Sequence, residues 1–199
     1  MPVIGLTGNI GTGKTTVSGI LADLGATTID ADKLGHELLQ SDSQVYQEVV
    51  AAFGESVLNP KREIDRRKLA RLVFNDPAAL DRLNQTMHPR MYDMARDKIE
   101  QCRKQRVNVV LEVILLIEAG WTTLVDQVWV TVAPEAVVVE RLKAQRGLSE
   151  AQILARLRSQ MPSDEKVKRA DVVIDTDCPL PDLKARVSDL WHATRGATF

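Results

Sequence analysis

The chain has 199 residues, 44% hydrophobic and 27% charged, with a formal net charge of −1. That length buries a sizeable core in one domain, the balance excludes a disordered protein, and near-neutrality excludes broad electrostatic binding of nucleic acid. The most apolar stretch, 109–117, is interrupted by Glu112, so no membrane span is expected, and two distant cysteines, Cys102 and Cys178, fit a reducing, cytoplasmic setting.

Val3-Ile4-Gly5-Leu6-Thr7 reads as a short buried strand. It runs into Gly8-Asn9-Ile10-Gly11-Thr12-Gly13-Lys14-Thr15, which has the pattern G-x-x-x-x-G-K-T. Residues 16–24 follow with Val17, Ile20, Leu21 and Leu24 at helical spacing. Strand, glycine loop and helix together are the setting of a phosphate-binding P-loop. Glycines let successive N–H groups converge on one anion, and the helix adds the positive end of its dipole. Lys14 supplies a point charge for the β- and γ-phosphates, and Thr15 a hydroxyl where Mg²⁺ bridges them.

Gly25 stops the first helix, and Thr27-Thr28-Ile29 reads as a second strand. That strand delivers Asp30-Ala31-Asp32 to its carboxyl end, the edge of an open α/β sheet where ligands bind. One carboxylate of the pair can orient Mg²⁺ or its waters and the other can take a proton from an attacking hydroxyl; the competing role is to cap a helix beginning near Lys33.

Residues 33–105 read as helical throughout, in segments 33–40 and 43–53, a helix 66–74 capped by Asp65, a helix 77–87 opened by Asp76-Pro77, and a last one broken off at His88-Pro89 and running to about Gln105. Such a block is too long for a simple crossover between strands, and we read it as an inserted lobe for the second substrate. It carries Lys61, Arg62, Arg66, Arg67, Lys68 and Arg71, which suit phosphate groups or form a solvated face. His88 either bonds to backbone at a helix start or lines the acceptor pocket.

Residues 107–111 form the clearest buried strand, ending in Glu112, which takes either a Walker B role towards Mg²⁺ or a capping one. A fourth strand is expected at 128–132 and a helix from Pro134 to about Gln145, ended by Gly147. Ser149-Glu150-Ala151-Gln152 is a capping box that opens a helix to about Met161. Arg141, Arg146, Arg156 and Arg158 crowd this hairpin, as in a lid that closes on ATP phosphates, or simply form surface charge. A fifth strand, 171–175, and a helix, 182–195, complete an α/β fold: a five-stranded parallel sheet flanked by helices, with an inserted helical substrate lobe and a helical lid. The expected organisation is a single 1–199 domain with a nucleotide-binding core at 1–32 and 106–199, a lid at about 140–165, and the insertion at 33–105. A GTPase reading lacks an N-K-x-D motif, and nothing marks a transporter or motor ATPase. The runner-up to the reading below is a nucleoside or nucleoside-monophosphate kinase.

The motifs carry a closer resemblance. The opening from Ile4 to Thr16, Ile29-Asp30-Ala31-Asp32, Phe53-Gly54, Ile64-Asp65-Arg66, Val73-Phe74 and His88-Pro89 occur in this order. They are followed by Leu115-Leu116 with Glu118, Arg141-Leu142, Arg156 with Gln160, Lys166, and Ala170-Asp171-Val172-Val173-Ile174-Asp175. The chain resembles the dephospho-CoA kinase family over nearly its full length. The resemblance implies transfer of the γ-phosphoryl of ATP to the ribose 3′-hydroxyl of dephospho-CoA, the last step of coenzyme A biosynthesis, with Mg²⁺.

It implies Asp32, Lys14 and Arg141 as the catalytic set, with Asp32 taking the 3′-hydroxyl proton. ATP would be held by Gly8, Asn9, Ile10, Gly11, Thr12, Gly13, Lys14, Thr15, Thr16 and Arg141, and the metal by Thr15. Asp32, Arg66, His88 and Leu115 would line the acceptor side. A monomer that binds neither nucleic acid nor membrane is expected. The chain departs from the family pattern at Asn9, usually Gly; at Ile114, usually Pro; at Gln145, where a second lid arginine usually stands, Arg146 being one place later; and at Thr176, usually Asn.

Overall fold

The computed structural model describes residues 2–40, 43–74 and 76–196. Residues 1, 41, 42, 75 and 197–199 of the expected 1–199 domain lie outside the description, as do the side chains of Phe74 and of 195–196. The chain divides into two units, one of residues 1–30 and 98–199 and the other of residues 31–97.

The first is the sheet unit. Its strands are β1 (Val3–Thr7), β2 (Thr27–Asp30), β3 (Val109–Glu112), β4 (Gln127–Val132) and β5 (Val172–Asp175). They are all parallel, in the order β2-β3-β1-β4-β5. β1 is central and buried along its whole length, as expected of a parallel strand covered on both faces. The loop that follows β1 therefore opens in the middle of the sheet's carboxyl edge. Helix α1 (Lys14–Asp23) turns Val17, Ile20 and Leu21 onto Ile4, Leu6 and Trp129 of the sheet. Leu183, Val187 and Trp191 from the C-terminal helix, Leu180–Gly196, join the same cluster. Side-chain caps also set strand starts: Asp126 Oδ2 accepts from Val3 N at 2.7 Å, and Asp171 Oδ2 accepts from Val128 N at 2.7 Å.

The second is the helical unit, with α2 (Ala31–Leu38), α3 (Gln44–Phe53), α4 (Arg66–Phe74) and the greater part of α5 (Pro77–Lys104). Its own core joins Val45, Val49, Phe53, Val57, Leu58, Ile64, Leu69, Val73, Ala79 and Met87. Asp65 Oδ1 accepts from Arg67 N at 2.9 Å, and Asp76 Oδ1 from Ala78 N at 2.9 Å, so both acids open their helices as expected.

Three expectations are corrected here. His88-Pro89 does not end a helix: α5 runs unbroken through Pro89. A mid-helix proline costs about 3 kcal/mol through one lost N–H bond and a clash with the preceding turn. Pro89 and Gln85, whose carbonyl it deprives, are both exposed, so solvent can take that carbonyl. Burial of Met87, Ala95 and Ile99 on either side holds the helix together. α2 begins at Ala31 rather than near Lys33, which puts Asp32 inside the first turn instead of at the cap. The lid segment contains a short helix that periodicity did not show, Ser163–Val167, after α6 (Glu135–Arg146) and α7 (Glu150–Arg158). We number that short helix α8 and the C-terminal one α9.

Candidate active site

The P-loop is built by backbone conformations and close approaches that demand glycine. Gly8 has φ 146°, and a Cβ there would lie 2.4 Å from Thr131 Oγ1 and 2.5 Å from the Thr131 carbonyl oxygen. Gly11 has φ 79°, and its Cβ would sit 2.8 Å from Val138 Cγ1. Any larger residue would be strained and would push β4 or α6 away. Thr12 closes the turn from inside: its Oγ1 bonds to the Asn9 carbonyl at 2.7 Å and to Thr131 Oγ1 at 2.7 Å.

Lys14 is almost wholly buried, and its Nζ donates to the carbonyls of Gly8 at 2.8 Å and Asn9 at 3.0 Å. The ammonium is thereby folded over the start of the loop. α1 begins at Lys14 with Gly13 as N-cap, no side chain caps it, and its first turn holds no acid. A positive helix end with uncapped N–H groups beside a buried lysine is an anion site.

Asn9 and Ile10 face the lid. Asn9 Nδ2 donates to the Met161 carbonyl at 3.3 Å, while its Oδ1 is buried with no hydrogen-bond partner. Ile10 N donates to Gln160 Oε1 at 3.0 Å. The Ile10 side chain is buried among Val138, Val139, Leu142 and Ile153, the apolar seam of the α6–α7 hairpin. Ser149 and Gln152 form the expected capping box at the start of α7, and Lys143 bonds Glu150 at 2.6 Å to stitch the hairpin. That lysine also holds the Glu150 carboxyl below the usual carboxylate range.

Arg141 is the one lid arginine tied to the sheet edge. Its guanidinium donates to Thr176 Oγ1 at 3.0 Å and to the Thr176 carbonyl at 2.7 Å. Thr176 Oγ1 also lies 3.0 Å from the Thr12 carbonyl, so it ties the arginine to the P-loop. Arg146, Arg156 and Arg158 are exposed. Thr176 stands out in the sequence only as a departure from the family pattern; its contact with the loop 164 residues earlier cannot be read from local spacing.

Thr15 and Thr16 are exposed at the start of α1, and Thr15 Oγ1 donates to Glu112 Oε1 at 3.0 Å. Glu112 is the last residue of β3 and stands in register with Leu6 on one side and Asp30 on the other. The contact between a P-loop hydroxyl and this carboxylate favours the Walker B reading over capping. Two hard oxygen ligands fit Mg²⁺, which binds through one or two protein oxygens plus substrate phosphates rather than in an all-protein cage. No cluster of three or more His, Cys, Asp or Glu able to hold a metal occurs among the described residues. Leu115 is 37% exposed in the turn after β3.

Of the other expected acceptor-side residues, Asp32 lies in the first turn of α2, two residues past the end of β2, and is exposed. Arg66 opens α4 and is exposed. His88 sits inside α5, partly buried, and desolvation pulls its pKa below the ordinary 6.5, so the neutral ring is favoured. These three belong to the helical unit, whereas the P-loop, Thr15, Glu112, Arg141 and Leu115 belong to the sheet unit.

Comparison with known proteins points the same way. The family model described as dephospho-CoA kinase matches residues 2–182. A dephospho-CoA kinase of Carboxydothermus hydrogenoformans is 42% identical over 188 residues, 94% of this chain and 91% of that one. A Thermus thermophilus protein of known structure superposes with a TM-score of 0.81 at 36% identity, covering 96% of this chain and 97% of the other. The dephospho-CoA kinase of Campylobacter jejuni superposes with a TM-score of 0.75 at 26% identity, covering 96% of each.

Proposed function

The chain belongs to the dephospho-CoA kinase family and is an ATP-dependent kinase of dephospho-CoA, and from that premise we propose how its residues divide the work. The observation that carries the reading is the P-loop itself, with buried Lys14 and the uncapped start of α1 on one side and the Thr15–Glu112 contact on the other. Residues Gly8 to Thr16 cradle the ATP phosphates through those loop amides not already bonded within the protein, as Ile10 N is to Gln160, together with Lys14 and the α1 dipole. Arg141, fixed by Thr176, adds charge beside them.

Thr15, supported by Glu112, would hold Mg²⁺. The metal, when bound, neutralises charge on the β- and γ-phosphates.

Asp32 accepts the proton of the ribose 3′-hydroxyl. The 3′-oxygen forms its bond to the γ-phosphorus as the bond from that phosphorus to the β–γ bridging oxygen breaks, and ADP leaves. Lys14 and Arg141 stabilise the charge that spreads over the transferring group, so positioning and electrostatics account for catalysis without a covalent enzyme intermediate. Asp32 is favoured over Asp30 by its place beyond the strand, where its side chain is exposed, and by the family pattern. Arg66, His88 and Leu115 contact the acceptor, residues 31–97 being its lobe and α6–α7 the lid.

We place this monomeric enzyme in the cytoplasm, where ATP and a reducing environment coincide. Both cysteines are free, and no helix among the described residues is long and apolar enough to cross a membrane. Light scattering checks the oligomeric state. The decisive assay is ATP consumption with dephospho-CoA, adenosine, AMP and cytidine offered in parallel. Phosphate on dephospho-CoA alone is expected; phosphate on a nucleoside or nucleotide, with none on dephospho-CoA, would turn the reading to the runner-up.

A further inference from the structure

Lys166 has no part in the chemistry above, yet it is a charged side chain with 0% exposure. Burying an ammonium is expensive unless it is paired and hydrogen-bonded. Here Nζ meets Glu118 Oε1 at 2.8 Å and the Ile114 carbonyl at 2.8 Å. The same Ile114 carbonyl accepts from Thr7 Oγ1 at 2.9 Å, so both its lone pairs are used, one from the last residue of β1 and one from α8. Glu118, 21% exposed at its side chain, turns the same oxygen towards Met161 N at 3.4 Å.

The contacts continue into the P-loop. The Met161 carbonyl accepts from Asn9 Nδ2, and the neighbouring Gln160 accepts from Ile10 N. Lys166, Glu118 and residues 160–161 therefore form one connected set of bonds that ends on the second and third residues of the P-loop. Ile10 is gripped on both counts, its N–H by Gln160 and its side chain by the seam of α6 and α7. The segment 159–162 is the return from α7 to α8, so whatever fixes it fixes the base of the hairpin that carries Arg141.

We propose that Lys166 and Glu118 are positioning residues for ATP: their ion pair locks the return from α7 onto Asn9 and Ile10, which holds the P-loop amides and the Arg141 hairpin in a phosphate-binding arrangement. The proposal rests on the kinase reading. It predicts an effect on the nucleotide side of the reaction that is separate from any loss of stability. A buried pair that served folding alone would, when broken, reduce the amount of active protein and leave both Michaelis constants where they were.

The experiment compares Lys166→Met, Glu118→Ala and Gln160→Ala with the parent chain. Each is measured for kcat, for KM with ATP and with dephospho-CoA, for equilibrium binding of a non-hydrolysable ATP analogue, and for thermal unfolding. Lys166→Met and Glu118→Ala are expected to raise the ATP KM and the analogue Kd about tenfold, because small misplacements of a phosphate cradle are costly. Gln160→Ala removes one neutral partner of the loop and leaves no buried charge behind, and is expected to raise both about threefold. KM for dephospho-CoA stays within about twofold in all three. Should either charge variant fail to fold, Gln160→Ala still decides the matter. Lowered melting temperatures with ATP KM and analogue Kd unchanged, in Gln160→Ala and in every variant that folds, overturn the proposal. A parent chain that binds the analogue and phosphorylates dephospho-CoA, with variants that bind equally well, overturns the proposal alone. A parent chain that neither binds nor phosphorylates overturns the kinase reading and the proposal together.

Discussion

Lys14 and Lys166 in the sheet unit are buried to 7% and 0% exposure, and each ammonium is held by backbone carbonyls or a carboxylate. In the helical unit, Arg62, Arg66, Arg67 and Arg71 all lie on the surface, and where a pair is formed, as between Arg62 and Glu55 at 2.9 Å, both side chains are 71% exposed. Buried, multiply bonded charge is expensive to assemble and hard to move, so it marks groups whose position matters. Exposed pairs are worth about 0–1 kcal/mol and leave side chains free to adjust. A preformed cradle for a phosphate chain and an adaptable face for a larger, flexible acceptor would have these properties.

The sharpest way to break the contrast is Lys14→Ala beside Asp32→Asn. Each is expected to lower kcat on the order of 10²–10⁴-fold, one by removing charge stabilisation and the other by removing the proton acceptor. They separate in binding: Asp32→Asn keeps its affinity for an ATP analogue, whereas Lys14→Ala weakens it. Near-normal turnover by Asp32→Asn would falsify the assignment of the base.

A pair of glycine replacements tests rigidity directly. Gly8→Ala forces a Cβ into Thr131 at an unfavourable φ and is expected to destabilise the chain by about 2–4 kcal/mol, seen as a lowered melting temperature. Gly35→Ala, inside α2, meets Met91 Sδ at an ordinary 3.6 Å and is expected to stabilise by about 0.5–1 kcal/mol. Equal responses from the two sites would remove the distinction between a tight loop and an accommodating helix.

The smallest expected effect concerns His88. Its pKa is lowered by burial, so the unfolded chain binds more protons than the folded one as pH falls through 6.5 and below. Stability should be fully present above that value and decline beneath it, and His88→Gln should flatten that part of the curve. Thermal unfolding between pH 5 and pH 8, with both chains in parallel, reads the slope (the interval is approximate, about the range in which histidine titrates).

Most of what was legible in the residues was local. The P-loop, the caps at Asp65, Asp76 and Ser149, and the five strands each depend on neighbours within a few positions, which is the range of periodicity and capping rules. What could not be read depends on contacts across the sequence. Thr15 meets Glu112 at a separation of 97 residues, a contact that no local pattern announces. Lys166 reaches Ile114 across 52 residues; the family resemblance marks it in the sequence, but nothing in its neighbours shows that it is buried. Pro89 carries a local signal that was overruled: burial of Met87 and Ala95 on either side outweighs the lost helix bond. The acceptor side remained a set of named positions because a phosphate-binding arginine and a solvated one have the same spacing on a helix.

Ile10 has a practical consequence for anyone recombining this chain with its relatives. Its side chain fills a place among Val138, Val139, Leu142 and Ile153, so the hairpin cannot be exchanged without residue 10. A graft of 135–158 alone would meet a foreign methyl pattern at that position. Crossover points for chimeras should therefore keep both pieces from the same parent.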